Sequence, residues 1–234
     1  MPERVRELRA RMAAAAATAG RNVDCVTLLA VSKGQTVQQI RAAAAAGVTH
    51  LGESYLAEAL GKMEAAGDLP LTWHFIGRLQ ANKTRPVAER FAWVHGLDRL
   101  RIAERLAAQR PFHAPPLNVC LQVSLAGEAS KGGVAPEALP PLAAAVAALP
   151  RLLLRGLMCI PPQESDPARQ RHWFARLRAL RDSLNAGGCS LDTLSMGMSG
   201  DFEAAIQEGA TIVRIGTALF GPRPAKAPAG TIPA

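Results

Sequence analysis

The sequence predicts a single (β/α)8 barrel of the α/β class, with one extra helix at its amino end, and three observations carry the prediction. Short apolar runs recur along the chain, each separated from the next by a segment of helical periodicity. Eight such runs can be counted, and their strict alternation with helices implies parallel strands with the helices outside. No stretch before about residue 222 reads as a linker, so residues 1–222 read as one domain. Residues 223–234, rich in Pro, Ala and Gly, read as a flexible tail.

The elements follow in order. Val5, Leu8, Met12 and Ala15 share one face of a helix over residues 2–20, stopped at Gly20. The first strand spans about 25–33 and the next helix 35–46, ended by Gly47. Strand two covers 49–53, with a helix over 54–66 broken by Gly67, Asp68 and Pro70. Strand three runs from Thr72 to Gly77, with a helix after Asn82. Strand four covers 93–96, and Asp98 is the expected N-cap of a helix over 99–109. Strand five, 118–125, is followed by a Gly/Lys-rich loop at 127–133 and a helix over 136–148. Strand six, 153–160, stops at Pro161-Pro162 before a long helix over 167–185. Strand seven, 191–198, a short helix over 201–208 and strand eight, 211–220, complete the pattern.

Composition narrows the function classes. The chain has 234 residues, 27 Lys+Arg against 19 Asp+Glu, and a net charge of +8. The arginines are spread over helical segments, as in Arg4, Arg6, Arg9 and Arg11, which is the pattern of a solvated face. Aromatic residues are 4% of the chain and give little stacking surface for single strands, so nucleic acid is disfavoured as a partner. Cys25, Cys120, Cys159 and Cys189 form no C-x-x-C pair and no metal-ligand spacing, and are expected to be reduced and buried. No apolar run reaches the ~18 residues of a membrane helix, and the amino terminus lacks a signal-peptide core. The expectation is a cytoplasmic protein, monomeric rather than dimeric, because its helix surfaces are arginine-rich.

Chemistry in this fold collects at the carboxyl ends of the strands. Those positions are Lys33, Glu53, His74, His95, Met158, Ser199 and Thr217. Lys33 closes the apolar run Leu28-Leu29-Ala30-Val31-Ser32. A lysine in a low-dielectric pocket loses its charge more readily and can then condense with a carbonyl as a Schiff base. A lysine that merely ends a strand and reaches solvent is the alternative. His74 and His95, beside Trp73 and Trp93, can equally be core histidines with satisfied hydrogen bonds, and Glu53 can cap the helix after it. Ser195-Met196-Gly197-Met198-Ser199-Gly200 and Arg214-Ile215-Gly216-Thr217 place small residues and a hydroxyl where backbone N–H groups can approach a phosphate. They lie on strands seven and eight, the recurrent phosphate site of the fold. A phosphate site and a Schiff-base lysine together suggest a phosphorylated aldehyde, either pyridoxal 5'-phosphate (PLP) or an aldolase substrate.

Five blocks then carry a family resemblance. These are Ala30-Val31-Ser32-Lys33, Gly52-Glu53-Ser54-Tyr55, the run from Trp73 to Lys83, Ser195 to Ser199, and Val213 to Gly221. In this order, and over about residues 29–222, they resemble the signature blocks of the pyridoxal phosphate homeostasis proteins. That family resembles the barrel of alanine racemase-like, fold type III enzymes. The resemblance implies PLP held covalently on Lys33, with Ser199, Gly200, Gly216 and Thr217 on its phosphate and Arg214 facing the pyridine nitrogen. Ser54, His74 and Met158 are the further expected cofactor contacts. Ser54 stands where the family usually has Asn, so the contact made there differs in reach and donor number.

The resemblance also implies a role in intracellular PLP homeostasis, as a buffer or donor of the cofactor to PLP-dependent apo-enzymes, without established catalysis. An arginine cannot take up a proton from the ring nitrogen, so the ring would be a poor electron sink. The chain also leaves little room after strand eight for the second domain that completes a racemase. A single-domain amino-acid racemase is the alternative, and a PLP-free Schiff-base aldolase or a basic nucleic-acid-binding module are further rivals.

Overall fold

A computed structural model describes residues 1–127 and 132–222. Eight parallel strands close into a barrel in sequence order, with β1 hydrogen-bonded to both β2 and β8. The strands are β1 (Thr27–Val31), β2 (His50–Glu53), β3 (Thr72–Phe75), β4 (Trp93–Leu97), β5 (Leu117–Val123), β6 (Leu152–Cys159), β7 (Thr193–Ser195) and β8 (Ile212–Ile215). Between and around them lie α1 (Pro2–Thr18), α2 (Val37–Ala45), α3 (Leu56–Ala65), α4 (Thr84–Arg90), α5 (Leu100–Gln109), α6 (Leu139–Ala147), α7 (Pro167–Ala186), α8 (Phe202–Gln207) and α9 (Thr217–Phe220).

Local sequence explains most of these elements. Pro2 opens α1 at a position where a missing N–H costs nothing, and Val5, Leu8, Met12, Ala15 and Ala16 form its buried stripe. That stripe packs on α8 and α9, so the extra helix covers the side where the barrel closes. Thr36 and Gln39 form a capping box at the start of α2. β5 is buried at every position but Asn118, as a strand covered on both faces must be. Inside and around the strands, Leu29, Leu51, Val94, Leu121, Leu157, Leu194 and Val213 are fully buried.

Four expectations differ from the structure. The eighth strand stops at Ile215, and Thr217–Phe220 form the short helix α9 in place of a strand continuing to residue 220. Gly216 breaks the run, and the apolar segment after it is short enough to suit either structure. The seventh strand is limited to Thr193–Ser195, because Gly197 turns the chain at φ +91° before Met198. Asp98 does not cap α5: the cap position is Arg99, whose Nε donates to the Asp98 carboxylate at 2.9 Å. Cys120 and Cys159 are buried as expected, but Cys25 lies exposed in the turn before β1. The tail at 223–234 and the loop centre at 128–131 lie outside the described residues. Among the described residues, no helix is long and apolar enough to cross a membrane.

Candidate cofactor site

Barrel closure decides the site. Leu29 and Ala30 of β1 register against Arg214 and Ile215 of β8, so the chain leaving each strand emerges side by side at the carboxyl face. Lys33 and Gly216-Thr217, far apart in sequence, therefore line one small cavity with Val31, Gln35 and Gly221. Lys33 is half-buried and Thr217 exposed, as befits a rim. A Cβ on Gly216 would sit 3.6 Å from the Val31 carbonyl oxygen, an ordinary contact distance that shows how closely the turn after β8 lies beside the end of β1.

The seventh-strand loop reaches the same rim. Ser199 Oγ accepts from the backbone N–H of Ala218 at 3.2 Å, which ties the loop after β7 to the start of α9. The turn itself is fixed by Gly197, where a Cβ would approach the Ala205 Cβ to 2.6 Å, and by Asp201, whose carboxylate accepts from Met198 N–H at 2.6 Å. Gly200 is exposed and lines a mouth cavity of about 770 Å³ with Met198, Asp201 and the Ile160–Ser165 segment. Ser54 follows β2 half-buried, and the chain leaving β3 approaches its backbone so closely that a Cβ on Gly77 would lie 2.4 Å from the Ser54 carbonyl oxygen.

Beneath the rim sits Arg214. Its guanidinium is buried and donates from Nη1 to the Ser195 carbonyl at 2.6 Å and Oγ at 2.9 Å, and from Nη2 to the Cys159 carbonyl at 2.8 Å. These bonds use three of the five N–H donors of a guanidinium. Burial lowers its pKa, but an arginine keeps its charge across the ordinary range. The same burial holds its neighbours neutral. The Cys159 thiol is pushed up to about 12 and His95 is pushed down to about 3, in each case chiefly by desolvation.

His74 and Met158 lie deeper than the rim. Met158 is fully buried on β6. His74 is buried on β3, both ring nitrogens are taken by His50 and His95 at 2.9 Å, and Trp93 stacks on its face at 5.4 Å. His74 thus belongs to a line of histidines inside the barrel and has no ring nitrogen turned to the rim.

A second polar cluster flanks Lys33. Lys62 on α3 is buried and donates to the Ser32 carbonyl at 2.6 Å, to Glu53 Oε1 at 2.8 Å and to Glu58 at 2.5 Å. Ser32 Oγ donates to the same Glu53 oxygen at 2.6 Å, while Glu53 Oε2 is buried without a hydrogen-bond partner among the described residues. Burial raises the Glu53 carboxyl against the opposing effects of Lys62 and Ser32. This cluster fixes the turn that presents Lys33. The sequence signals Lys62 only through its i,i+4 spacing from Glu58, which suits an exposed helix pair equally well.

With this geometry in view, comparisons with known proteins place the chain. The alanine racemase N-terminal domain model matches residues 4–224. A pyridoxal phosphate homeostasis protein of Pseudomonas aeruginosa is 60% identical over 227 residues, covering 97% of each chain. The chain belongs to the pyridoxal phosphate homeostasis protein family. The structure of PipY from Synechococcus elongatus, solved with PLP bound, superposes with a TM-score of 0.83 at 37% identity, covering 94% of this chain and 99% of PipY. Alanine racemase from Corynebacterium glutamicum shares the fold, with a TM-score of 0.69 at 16% identity over 90% of this chain and 60% of the racemase. The racemase-like barrel expected from sequence is thus the fold of the family.

The site residues fit PLP on their own chemistry. An amine, a small-residue rim and a buried guanidinium with donors to spare match an aldehyde, a phosphate and an unprotonated ring nitrogen. Lys33, Gly216 and Thr217 line one small cavity at the rim, which brings the amine beside the small-residue turn.

Proposed function

We propose that this protein binds PLP covalently through Lys33 and serves intracellular PLP homeostasis, holding the cofactor and releasing it to PLP-dependent apo-enzymes. The observation that carries this reading is the cavity shared by Lys33, Gly216 and Thr217. When bound, PLP supplies an aldehyde carbon that condenses with an amine. Lys33 provides that amine. Ser199 Oγ and the backbone of Gly200, Gly216 and Thr217 would hold the phosphate at the rim, and Arg214 would donate to the ring nitrogen. Met158 and Ser54 would be further contacts of the bound cofactor.

The acid and base groups near the rim argue for carriage over catalysis. Two-sided proton transfer needs an acid and a base poised near neutral pH. Tyr55, the single tyrosine, is 65% exposed. The histidines under the rim bond to one another, and the buried thiols of Cys120 and Cys159 stay protonated. A protein of this kind works as a cytoplasmic monomer, open enough at the mouth for the cofactor to exchange.

The test is the visible spectrum of protein mixed with PLP, before and after borohydride, with the modified peptide located by mass spectrometry. A visible band that borohydride removes, with the added mass on Lys33, supports the reading; no adduct, or an adduct on another lysine, overturns it. Circular dichroism of L-alanine and L-serine incubated with the loaded protein separates carrier from racemase. Turnover on the order of 1 per second, ordinary for an enzyme, would overturn the non-catalytic reading.

A further inference from the structure

Five polar side chains cross the barrel interior in one continuous line. His50 Nδ1 lies 2.9 Å from His74 Nε2, His74 Nδ1 lies 2.9 Å from His95 Nε2, and His95 Nδ1 lies 2.7 Å from Ser195 Oγ. Arg214 Nη1 meets the same Oγ at 2.9 Å. His50 opens β2 at the amino end of the barrel, where it lines a floor cavity of about 590 Å³ together with Arg9 and Asp24. The line therefore runs from the floor, on the face opposite Lys33, up to the guanidinium under the rim.

Its polarity follows from the chemistry of the two end groups. Arg214 can only donate, so Ser195 Oγ accepts from it. The Ser195 hydroxyl is fully buried, and its proton has His95 Nδ1 as its acceptor. The reverse arrangement, with His95 Nδ1–H donating, leaves that proton without an acceptor among the described residues and costs about 1–3 kcal/mol. Given the forward arrangement, a neutral His95 carries its proton on Nε2 and donates to His74. His74 in turn donates from Nε2 to His50 Nδ1. His74 and His95 are then each satisfied on both sides by a single tautomer, and His50 accepts at Nδ1. Desolvation keeps all three rings neutral, as this pattern needs.

We infer that Ser195, His95, His74 and His50 are positioning residues: a one-directional hydrogen-bond relay that locks the Arg214 guanidinium in the orientation needed for the cofactor's ring nitrogen. This rests on the proposed PLP reading. The relay acts only through Arg214, whose Nη1 it holds toward Ser195, leaving the unused donors for the ligand. Trp93, stacked on His74 with planes 8° apart, keeps the middle ring from turning.

Long-range 1H–15N spectra of the protein assign the tautomers directly. The expected result is Nε2–H on His50, His74 and His95; Nδ1–H or imidazolium on His74 or His95 overturns the relay. PLP titration of variants tests the consequence. His95→Leu is expected to weaken PLP at least tenfold and shift its visible band, while His95→Gln, whose amide accepts from Ser195 and donates to His74, restores most of both. A rescue that fails, or a His95→Leu protein that binds as wild type does, overturns the relay. Should His95→Leu not fold, Ser195→Ala decides, since Arg214 keeps its bond to the backbone carbonyl of residue 195. That variant is expected to give His95 a mixed tautomer and weaken PLP several-fold; no change in either overturns the relay. A wild-type protein with no PLP band removes the cofactor reading itself, whereas a normal wild-type band with indifferent variants removes the relay alone.

Discussion

The rim between β8 and β1 and the histidine line between β2 and β4 use similar side chains to opposite ends. At the rim, Lys33, Gly216 and Thr217 are partly exposed around a shared cavity, and Arg214 beneath them keeps donors beyond those its protein partners use. In the line, His74 and His95 are buried and both nitrogens of each are engaged within the protein. A polar group whose partners are all internal stabilises and orients; one that lines a cavity at the mouth is placed to meet a ligand. The contrast separates the proposed cofactor contacts from the histidines that sequence alone placed in the same mouth.

The largest effect that would break this contrast is at Lys33. Lys33→Ala should abolish the borohydride-trapped PLP adduct while leaving the thermal midpoint nearly unchanged, because the side chain is half-buried and at the surface of the rim. Calorimetry beside mass spectrometry checks both halves.

Next is acid sensitivity arising from the histidine line. His95 has its folded pKa lowered from 6.5 to about 3, so the unfolded chain binds a proton there that the folded chain refuses. Its contribution to stability is complete above pH 6.5 and is lost progressively as pH falls toward about 3. The loss is about 1.4 kcal/mol per pH unit for one such group, and His74 shifts in the same direction. Urea midpoints measured between pH 7 and 4 should fall steeply in wild type and less steeply in His95→Gln. Equal slopes would show that the line carries no such burden.

A smaller effect belongs to the phosphate side of the rim. Ser199→Ala should weaken PLP on the order of tenfold, or about 1.4 kcal/mol, and leave pyridoxal, which lacks the phosphate, unaffected. Parallel titrations with the two ligands give the comparison. The smallest effect is at the surface: Arg41→Ala removes an exposed pair with Asp68 and should move neither the urea midpoint nor PLP affinity measurably.

Much of this contrast is visible in the sequence only from one side. Ser195 falls in a Gly/Ser-rich segment that resembles a phosphate loop, yet its hydroxyl turns inward to His95 and Arg214, whereas Ser199, four residues on, meets the rim. The residue types are the same; which way each faces depends on where β7 ends and Gly197 turns. The relay joins β2, β3, β4, β7 and β8, and no local spacing signals such a line. The end of β8 at Ile215 has the same origin, since a short, largely apolar segment after a glycine suits a strand or a helical turn until its neighbours are known.

Periodicity and order are local properties, and they were enough to determine eight alternating strands and helices, the buried stripe of α1 and a lysine at the carboxyl end of β1. Those features depend on residues within a few positions of one another. Closure of the barrel is not local. It pairs β8 with β1 and so brings Gly216 and Thr217 to Lys33. The facing of side chains across the closed interior then hands His50, His74, His95 and Ser195 to one another and to Arg214. Strand register and tilt around the whole ring set those distances, and they exist only once the ring is complete.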